Sequence, residues 1–421
     1  MLRSHHMRDL DPPTTPALVV DVPLLDTMVG RFQSALETHW PHSILSYSFK
    51  TNSLPWLITH LRDQGVWAEV VSDTEYELAL ALGYAPECII FNGPVKGREQ
   101  LRLALQRGSV VNLDAKREVT WAAELARELP GQTFAVGLRV NWDLESYCPG
   151  ESTAGKEESR FGFNPENGEL DEAIAELSEA GIRIAGLHMH RNSFTQSLAV
   201  FRAGATVASE IVVSRGLDLD WLDIGGGFFG SVESTPTFDD YVSIVRETVE
   251  GVIDPERTCL IVEPGGSLVA VPLEFHASVL DVKDVGSSRL IVTDASRTNI
   301  DPLFRRRRPF EYQIDAEATE TMQEQVIGGF TCMEDDRLMK VQDAPILQRG
   351  DRITFYRVGG YTMCYQPTLF IEFAPPVYAR TSDKLFQVRS PMDVEGYLRG
   401  HEWSVGELSG SHVVRTPSQT T

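Results

Sequence analysis

Ile44-Leu45-Ser46-Tyr47-Ser48-Phe49-Lys50-Thr51-Asn52 is a mostly apolar, β-prone run with a cation near its end. A lone lysine at a strand tip is ordinarily a solvated surface charge, and the rest of the chain decides whether Lys50 is more. Short β-prone runs alternate with helical stretches from residue 44 to residue 263. The strand candidates are Ile44–Phe49, Trp67–Val71, Cys88–Asn92, Ser109–Leu113, Phe134–Asn141, Ile184–His190, Trp221–Ile224 and Leu260–Glu263. Between them, Thr74–Leu82 and Lys116–Leu129 carry apolar residues at helical spacing. Ser72-Asp73-Thr74-Glu75 has the spacing of a capping box, and Leu170–Ala180 runs into Gly181, a normal helix stop. Eight strands alternating with helices over about 220 residues match the size of a (β/α)8 TIM barrel. A doubly wound open sheet is the rival. Eight is the number that closes a barrel, so closure is favoured.

After residue 270 the pattern changes. Glu274–Val282, Arg289–Thr293, Gln313–Ala316, Arg352–Phe355 and Thr368–Phe373 are short strand-like runs with few helical stretches between them. They predict a C-terminal all-β domain. Residues 14–24 hold a further strand ahead of the helix Leu25–Thr38. The expected division is a barrel over 25–270, a β domain from 11–24 plus 271–405, and a mobile tail over 406–421. Residues 1–10, with His5-His6-Met7, are given no structure.

Composition narrows the function. A chain of 421 residues with 42% hydrophobic and 23% charged residues is an ordinary globular composition with room for two domains. Its net charge of −22 argues against nucleic acid or anionic membrane as partners, which call for basic surfaces. No apolar run approaches a membrane span, and the N-terminus lacks the apolar segment of a signal peptide. Cys88, Cys148, Cys259, Cys332 and Cys364 are odd in number and form no C-x-x-C pair, so neither a disulfide framework nor a structural zinc is expected. A cytoplasmic protein without a metal fits this usage.

In a (β/α)8 barrel the site lies at the C-terminal ends of the strands. The first barrel strand ends in Lys50. The sixth ends in His188-Met189-His190-Arg191-Asn192-Ser193, the seventh in Asp223-Ile224-Gly225-Gly226-Gly227-Phe228, and the eighth in Glu263-Pro264-Gly265-Gly266-Ser267. Glycines lack a Cβ, so their amides approach an anion closely. Each cluster alone reads equally well as a tight turn. Two clusters on adjacent strand ends, where phosphate sites of such barrels fall, favour an anion cradle. A carboxylate such as Glu263 beside a pyridine nitrogen keeps that nitrogen protonated. Its bland reading is a structural hydrogen bond at the rim. His190 is either a satisfied core histidine or a ring placed to stack on a planar cofactor. An amine converging with these groups suggests a Schiff-base lysine that holds an aldehyde cofactor.

The same residues carry a family resemblance. The chain resembles the fold-type III pyridoxal-phosphate decarboxylases, the group of diaminopimelate, ornithine and arginine decarboxylases. Tyr47-Ser48-Phe49-Lys50-Thr51-Asn52 looks like that family's Y-A-x-K-A-N, which makes Lys50 the lysine bonded to pyridoxal 5'-phosphate. Gly186-Leu187-His188-Met189-His190 looks like G-L-H-x-H, whose second histidine stacks on the ring. Leu222-Asp223-Ile224-Gly225-Gly226-Gly227-Phe228 looks like its phosphate loop, and Glu263-Pro264-Gly265 like the segment touching the pyridine nitrogen and phosphate. Gly329-Phe330-Thr331-Cys332-Met333-Glu334-Asp335-Asp336 resembles G-P-x-C-x-x-x-D, and Gly360-Tyr361-Thr362 resembles G-A-Y, whose tyrosine reaches the phosphate. The resemblance covers roughly residues 15–395.

It implies decarboxylation of a basic or modified amino acid through an external aldimine. Cys332 would protonate the α-carbon, and the catalytic set would be Lys50, Cys332 and His190. Cofactor contacts would come from Ser193, Gly226, Gly227, Glu263, Gly265, Gly266 and Tyr361. Asp336, Asp301 and Arg139 are the substrate-side candidates. Cys332 and Asp336 would enter the partner's site, so a head-to-tail homodimer is implied. On its own Cys332 reads as an inert thiol.

Three departures stand out. Gly266 replaces the arginine of E-P-G-R, a charge-assisted contact of about 1.5–3 kcal/mol. Asn192 replaces the glycine before Ser193. Asp301, in Asn299-Ile300-Asp301-Pro302-Leu303-Phe304, stands where diaminopimelate decarboxylases have the arginine of R-P-A-L-Y, and the run Arg305–Arg308 follows. An acid there attracts an amine and repels a carboxylate. A pyridoxal-dependent racemase or epimerase, and a non-catalytic pyridoxal-phosphate-binding homologue, are the alternatives. The second half of the chain weighs against the carrier, and the Gly329–Asp336 segment favours decarboxylation.

Overall fold

β1 (Ala17–Asp21) is apolar and buried until Asp21, whose carboxylate accepts from Leu24 N at 3.0 Å and so caps the helix Val22–His39. The computed structural model of the chain describes residues 13–153, 155, 158–230, 235–304, 306, 309–364 and 373–401.

Eight parallel strands then close on themselves: β2 (Ser43–Ser48), β3 (Trp67–Val70), β4 (Ile89–Phe91), β5 (Val110–Leu113), β6 (Ala135–Arg139), β7 (Arg183–His188), β8 (Trp221–Asp223) and β9 (Cys259–Val262), with β9 paired to β2. This is the (β/α)8 barrel, and each strand lies within two residues of its expected bounds. Helices over Pro55–Asp63, Asp73–Ala81, Arg98–Gln106, Lys116–Glu128, Glu169–Glu179, Leu198–Arg215 and Phe238–Thr248 follow the strands and bury one face against them. Ser72 caps Asp73–Ala81 as its spacing implies, accepting from Glu75 N at 3.2 Å. The lower lumen is filled by Ile90, Ala185, Trp221, Cys259 and Ile261. Trp221 fits there because Gly137 and Gly186 have no side chain, and a Cβ at Gly186 would collide with its indole. The barrel is a packed core with one working end.

The second unit is a nine-stranded sheet made of β1, β10 (Leu273–Val285), β11 (Ser288–Thr293), β12 (Glu311–Asp315), β13 (Thr321–Gly328), β14 (Arg337–Pro345), β15 (Arg352–Tyr356), β16 (Val377–Arg380) and β17 (Leu385–Arg389). β1 lies inside it, antiparallel to β10 and parallel to β16. Arg380 pins that junction, reaching Glu274 and Asp21 at 2.9 Å each. Burial works against a charged Glu274, but the hydrogen bonds from His276 and Arg380 prevail and hold its carboxyl near pH 2, at about 2. β13, β14, β16 and β17 are strands that the sequence reading leaves out. The strand expected at Thr368–Phe373 lies, up to residue 372, outside the described residues, as do residues 1–12 and the tail 406–421.

Candidate active site

The segment around Lys50 is built to aim it. After β2 the chain turns through one short helical turn, Phe49–Thr51, instead of running straight off the strand. Tyr47 OH donates to Asn52 O at 2.9 Å across that turn. Asn52 Nδ2 donates to Gly359 O at 3.1 Å, and Tyr361 N donates to Thr51 O at 2.8 Å, so the β domain fixes the turn from outside. Lys50 therefore points into a cavity of about 850 Å³ at the barrel mouth.

Polar groups at the ends of the barrel strands line this cavity or form a hydrogen-bonded layer beside it. Lys50 Nζ lies 3.5 Å from Glu69 Oε2, at the end of β3. Glu69 also accepts from Ser48 Oγ and, at 3.1 Å, from Asn92 Nδ2. Asn92 donates in turn to Glu263, and Asn112 Nδ2 bridges Asn92 Oδ1 at 2.9 Å and Asp223 Oδ2 at 2.8 Å. Arg139, from β6, is held by Asp114 at 2.9 Å and lies 4.4 Å over the Phe161 ring. Asp114 rests on Glu118, which accepts from Asp114 N at 2.9 Å and pairs with the fully buried Lys96 at 3.0 Å. Glu69, Asn92, Asn112, Asp114, Glu118 and Lys96 are absent from the sequence reading. Their signal was present: polar residues inside runs otherwise apolar, such as Val110-Val111-Asn112-Leu113-Asp114.

The electrostatics follow from this crowding. Burial alone would lower the Lys50 pKa, but Glu69 and then Glu263 outweigh it, and the ammonium is held above its usual range. Burial, followed by Arg139, Lys50 and His188, pushes His190 well below the ordinary imidazole value, so its ring is neutral. His190 Nδ1 accepts from Gly226 N at 3.3 Å, which leaves the proton on Nε2. Asp223 is driven well above the carboxylate range by burial and by Glu263, whose own carboxyl burial also raises. His188, Asp223 and Glu263 have ligating atoms within 4.8 Å of one another, all buried. Burial, followed by Arg139, pushes His188 well below the ordinary imidazole value, so a neutral ring lies beside two acids whose protonated forms burial favours.

Of the expected site residues, Lys50, His190, Gly226, Gly227, Glu263, Gly265, Gly266, Arg139 and Tyr361 line this one cavity. Tyr361 does so in the left-handed region, at φ 58°. Four do not. Ser193 lines a smaller cavity behind Gly226 and Gly227, and its Oγ accepts from Gln196 N at 3.3 Å, whereas Asn192 faces the main cavity. Cys332 is exposed and lies off the cavity lining. Asp336 is buried and turned onto its own loop, accepting from Arg297 N at 2.7 Å, from Ser296 Oγ at 3.2 Å and from Thr331 Oγ1 at 2.6 Å. Asp301 pairs with Arg297 at 2.7 Å and accepts from Arg306 N, so its charge is already met. Within one chain it lies off the cavity that holds Lys50. Of Arg305–Arg308 only Arg306 is described, 4.2 Å over the Phe310 ring.

The residues present fit an aldehyde cofactor with a phosphate. Gly225 and Gly226 stand where a Cβ would strike His190 and Glu263 O, so the loop can be no bulkier. Thr51 Oγ1 and Ser267 Oγ are buried at the cavity wall without a hydrogen-bond partner among the described residues. No described helix is long and apolar enough to cross a membrane.

Comparison with known proteins agrees with this geometry. The family model described as pyridoxal-dependent decarboxylase, pyridoxal binding domain, matches residues 25–270. A probable chloroplastic diaminopimelate decarboxylase of Oryza sativa subsp. japonica is 28% identical over 395 residues, covering 91% of this chain and 79% of the relative. The diaminopimelate decarboxylase of Bacillus subtilis (strain 168) is 29% identical over 378 residues, covering 82% of each chain. The crystal structure of diaminopimelate decarboxylase from Helicobacter pylori complexed with L-lysine superposes with a TM-score of 0.79 at 23% identity, over 92% of this chain and 96% of the other. Lysine decarboxylase from Selenomonas ruminantium gives 0.69 at 21%, over 89% and 94%. Both structures share the fold. The chain belongs to the pyridoxal-dependent decarboxylases, and it is an amino-acid decarboxylase that uses pyridoxal 5'-phosphate.

Proposed function

We propose that this enzyme decarboxylates a basic or modified α-amino acid, of the kind handled by its diaminopimelate-decarboxylase relatives. The carrying observation is the position of Lys50, an amine between two buried acids in a cavity of about 850 Å³, with a neutral histidine and a glycine cradle around it. When bound, pyridoxal phosphate supplies a ring that takes up the electron pair left behind as carbon dioxide departs.

The protein supplies the rest. Lys50 would be the residue that holds the cofactor's aldehyde carbon, its amine being the one that opens onto the cavity. Glu263, with Asn92 donating to it, would hold a proton on the ring nitrogen. His190, being neutral, presents a flat face that does not repel a cationic ring. Arg139, locked by Asp114, places a fixed cation beside the substrate's α-carboxylate end of the cavity. Cys332 is exposed and off this cavity. It acts as the acid that returns a proton to the α-carbon from a second copy of the chain, in a homodimer with shared sites.

The cavity wall at Ser152, Thr153, Ser159, Phe161, Asn192 and Gln196 leaves room for a long side arm beyond the reacting centre. Carbon dioxide release from lysine, ornithine, arginine, diaminopimelate and diaminopropionate conjugates tests the reading, run beside α-deuterium exchange in D2O. Release from one of them with retention of a single α-deuteron supports it. Exchange without release would make the enzyme a racemase or epimerase, and neither would leave a cofactor-binding homologue.

A further inference from the structure

The family's phosphate-binding arginine is a glycine here, and the barrel shows what stands in its place. A Cβ at Gly266 would meet nothing within 4 Å, so this part of the wall is open. Two hydroxyls flank the opening. Thr51 is 1% exposed and Ser267 is 5% exposed, and neither Oγ1 of the first nor Oγ of the second has a hydrogen-bond partner among the described residues. Both line the main cavity together with Gly226, Gly227, Gly265 and Gly266. A buried hydroxyl without a partner is costly and rare, and these two open onto a cavity where a ligand can supply one.

The placement is not accidental. Thr51 follows β2 and Ser267 follows β9, and these strands are hydrogen-bonded neighbours at the closure of the barrel. Gly226 and Gly227 follow β8, the next strand round. Thr51 Oγ1 stands against Gly265, where any side chain would collide with it. Its backbone carbonyl is tied by Tyr361 N at 2.8 Å and by Cys364 Sγ at 3.5 Å, so the hydroxyl is delivered by a fixed residue. Position 51 is alanine in the resembling motif Y-A-x-K-A-N. The chain has therefore gained a hydroxyl within one strand of where it lost a guanidinium.

Among the described residues, four cationic side chains line the cavity, Lys50, Arg139, Arg160 and Arg191, and Arg160 lies 4.7 Å over the Phe161 ring. Lys50 pairs with Glu69 and Arg139 with Asp114. Arg191 has no acidic partner among the described residues; its guanidinium donates to Asn141 Oδ1 at 2.7 Å, beyond the end of β6. β6 is not a neighbour of β9. We propose that the cofactor's phosphate is held in this chain by a neutral cradle, in which the hydroxyls of Thr51 and Ser267 donate to it beside the glycine amides in place of the arginine. This rests on the cofactor assignment of the family.

The test strips the purified holoenzyme of its cofactor and follows, by equilibrium dialysis, rebinding of pyridoxal 5'-phosphate and, separately, of pyridoxal, which has no phosphate. Thr51→Val keeps the shape and removes the hydroxyl; Ser267→Ala does the same at the second position. Each is expected to weaken pyridoxal 5'-phosphate binding by roughly tenfold or more, with pyridoxal binding unchanged, since a hydrogen bond to a charged group is being removed. Thr51→Ser is expected to restore the affinity. Pyridoxal binding reports whether each variant is folded. Wild-type affinity in both hydroxyl variants would overturn the proposal, as would a phosphate-specific loss confined to Arg191→Gln. If Lys50→Ala leaves the wild type's visible cofactor absorbance unchanged, the family reading of Lys50 fails instead, which is a separate outcome.

Discussion

Lys50 Nζ stands 3.5 Å from Glu69 Oε2, and the carboxylate is buried while the amine opens onto the cavity. The pair sets the condition under which the lysine can react. An amine attacks an aldehyde only when neutral, and Glu69 is the largest influence holding this one protonated. Glu69→Gln is expected to lower the Lys50 pKa. The rate at which cofactor-free protein takes up pyridoxal phosphate should then reach half-maximum at lower pH than in the wild type. Lys50→Ala is expected to abolish both the visible absorbance and turnover. Stopped-flow absorbance across pH measures the first, and an unshifted midpoint would remove Glu69 from this role.

Cys332 is the residue whose role depends most on a second copy of the chain. It is exposed and off the cavity lining. Cys332→Ala is expected to slow correctly protonated product by about 10²–10⁴-fold, the usual worth of a placed acid. Carbon dioxide release should fall less, with the excess appearing as transaminated cofactor. Mixing Cys332→Ala with Lys50→Ala subunits checks the sharing: a heterodimer should regain one working site in two. No regain on mixing would place the acid within a single chain.

Much of the fold could be read from residue order, and the reasons for the remainder are physical. Barrel strands such as Cys259-Leu260-Ile261-Val262 are buried on both faces and announce themselves as apolar runs. β13, with Thr321-Met322-Gln323-Glu324-Gln325, and β14, with Lys340, Gln342 and Asp343, are half exposed and gain their stability from pairing with each other. Their polar composition gives no strand signal. The site divides in the same way. Lys50, His190 and Glu263 sit in motifs that are contiguous in the chain. Glu69 meets its partners only when neighbouring strands pair, and Asn112 reaches Asp223 across the lumen at a separation of 111 residues. Asp301 shows the opposite case, a pairing with Arg297 one helical turn earlier that the segment Asn299–Phe304 by itself does not display.

Glu75 gives a stability signature with a defined sign. Burial raises its carboxyl from 4.5 to about 7, against a lowering hydrogen bond from Val71 N at 2.8 Å. A raised acid keeps its proton in the folded state after the unfolded chain has lost it. Stability from this group is therefore fully present below about pH 4.5 and is lost as pH rises through about 7. The span corresponds to about 3 kcal/mol at most. Glu75→Gln keeps the acceptor and removes the titration. Denaturant unfolding of both proteins from pH 5 to 8 should show the variant gaining on the wild type as pH rises. A constant difference would show that Glu75 does not titrate there.

The buried Lys96–Glu118 pair supports catalysis at one remove. Both side chains are fully buried, and burial, outweighing Glu118, lowers the Lys96 pKa. Glu118 also accepts from Asp114 N, and Asp114 holds Arg139. Lys96→Met would leave Glu118 as an uncompensated charge in the core, a loss of about 3–5 kcal/mol in stability. Lys96→Met combined with Glu118→Leu removes both charges and should recover much of that loss. The double variant still lacks the acceptor for Asp114 N, so Arg139 would lose its fixed aim. Its expected behaviour is near-normal unfolding with a raised KM for the amino acid and unchanged affinity for pyridoxal phosphate. Arg139→Lys, which cannot reproduce the planar fork, should show the same split. A stable double variant with wild-type KM would show that Arg139 is aimed without Glu118.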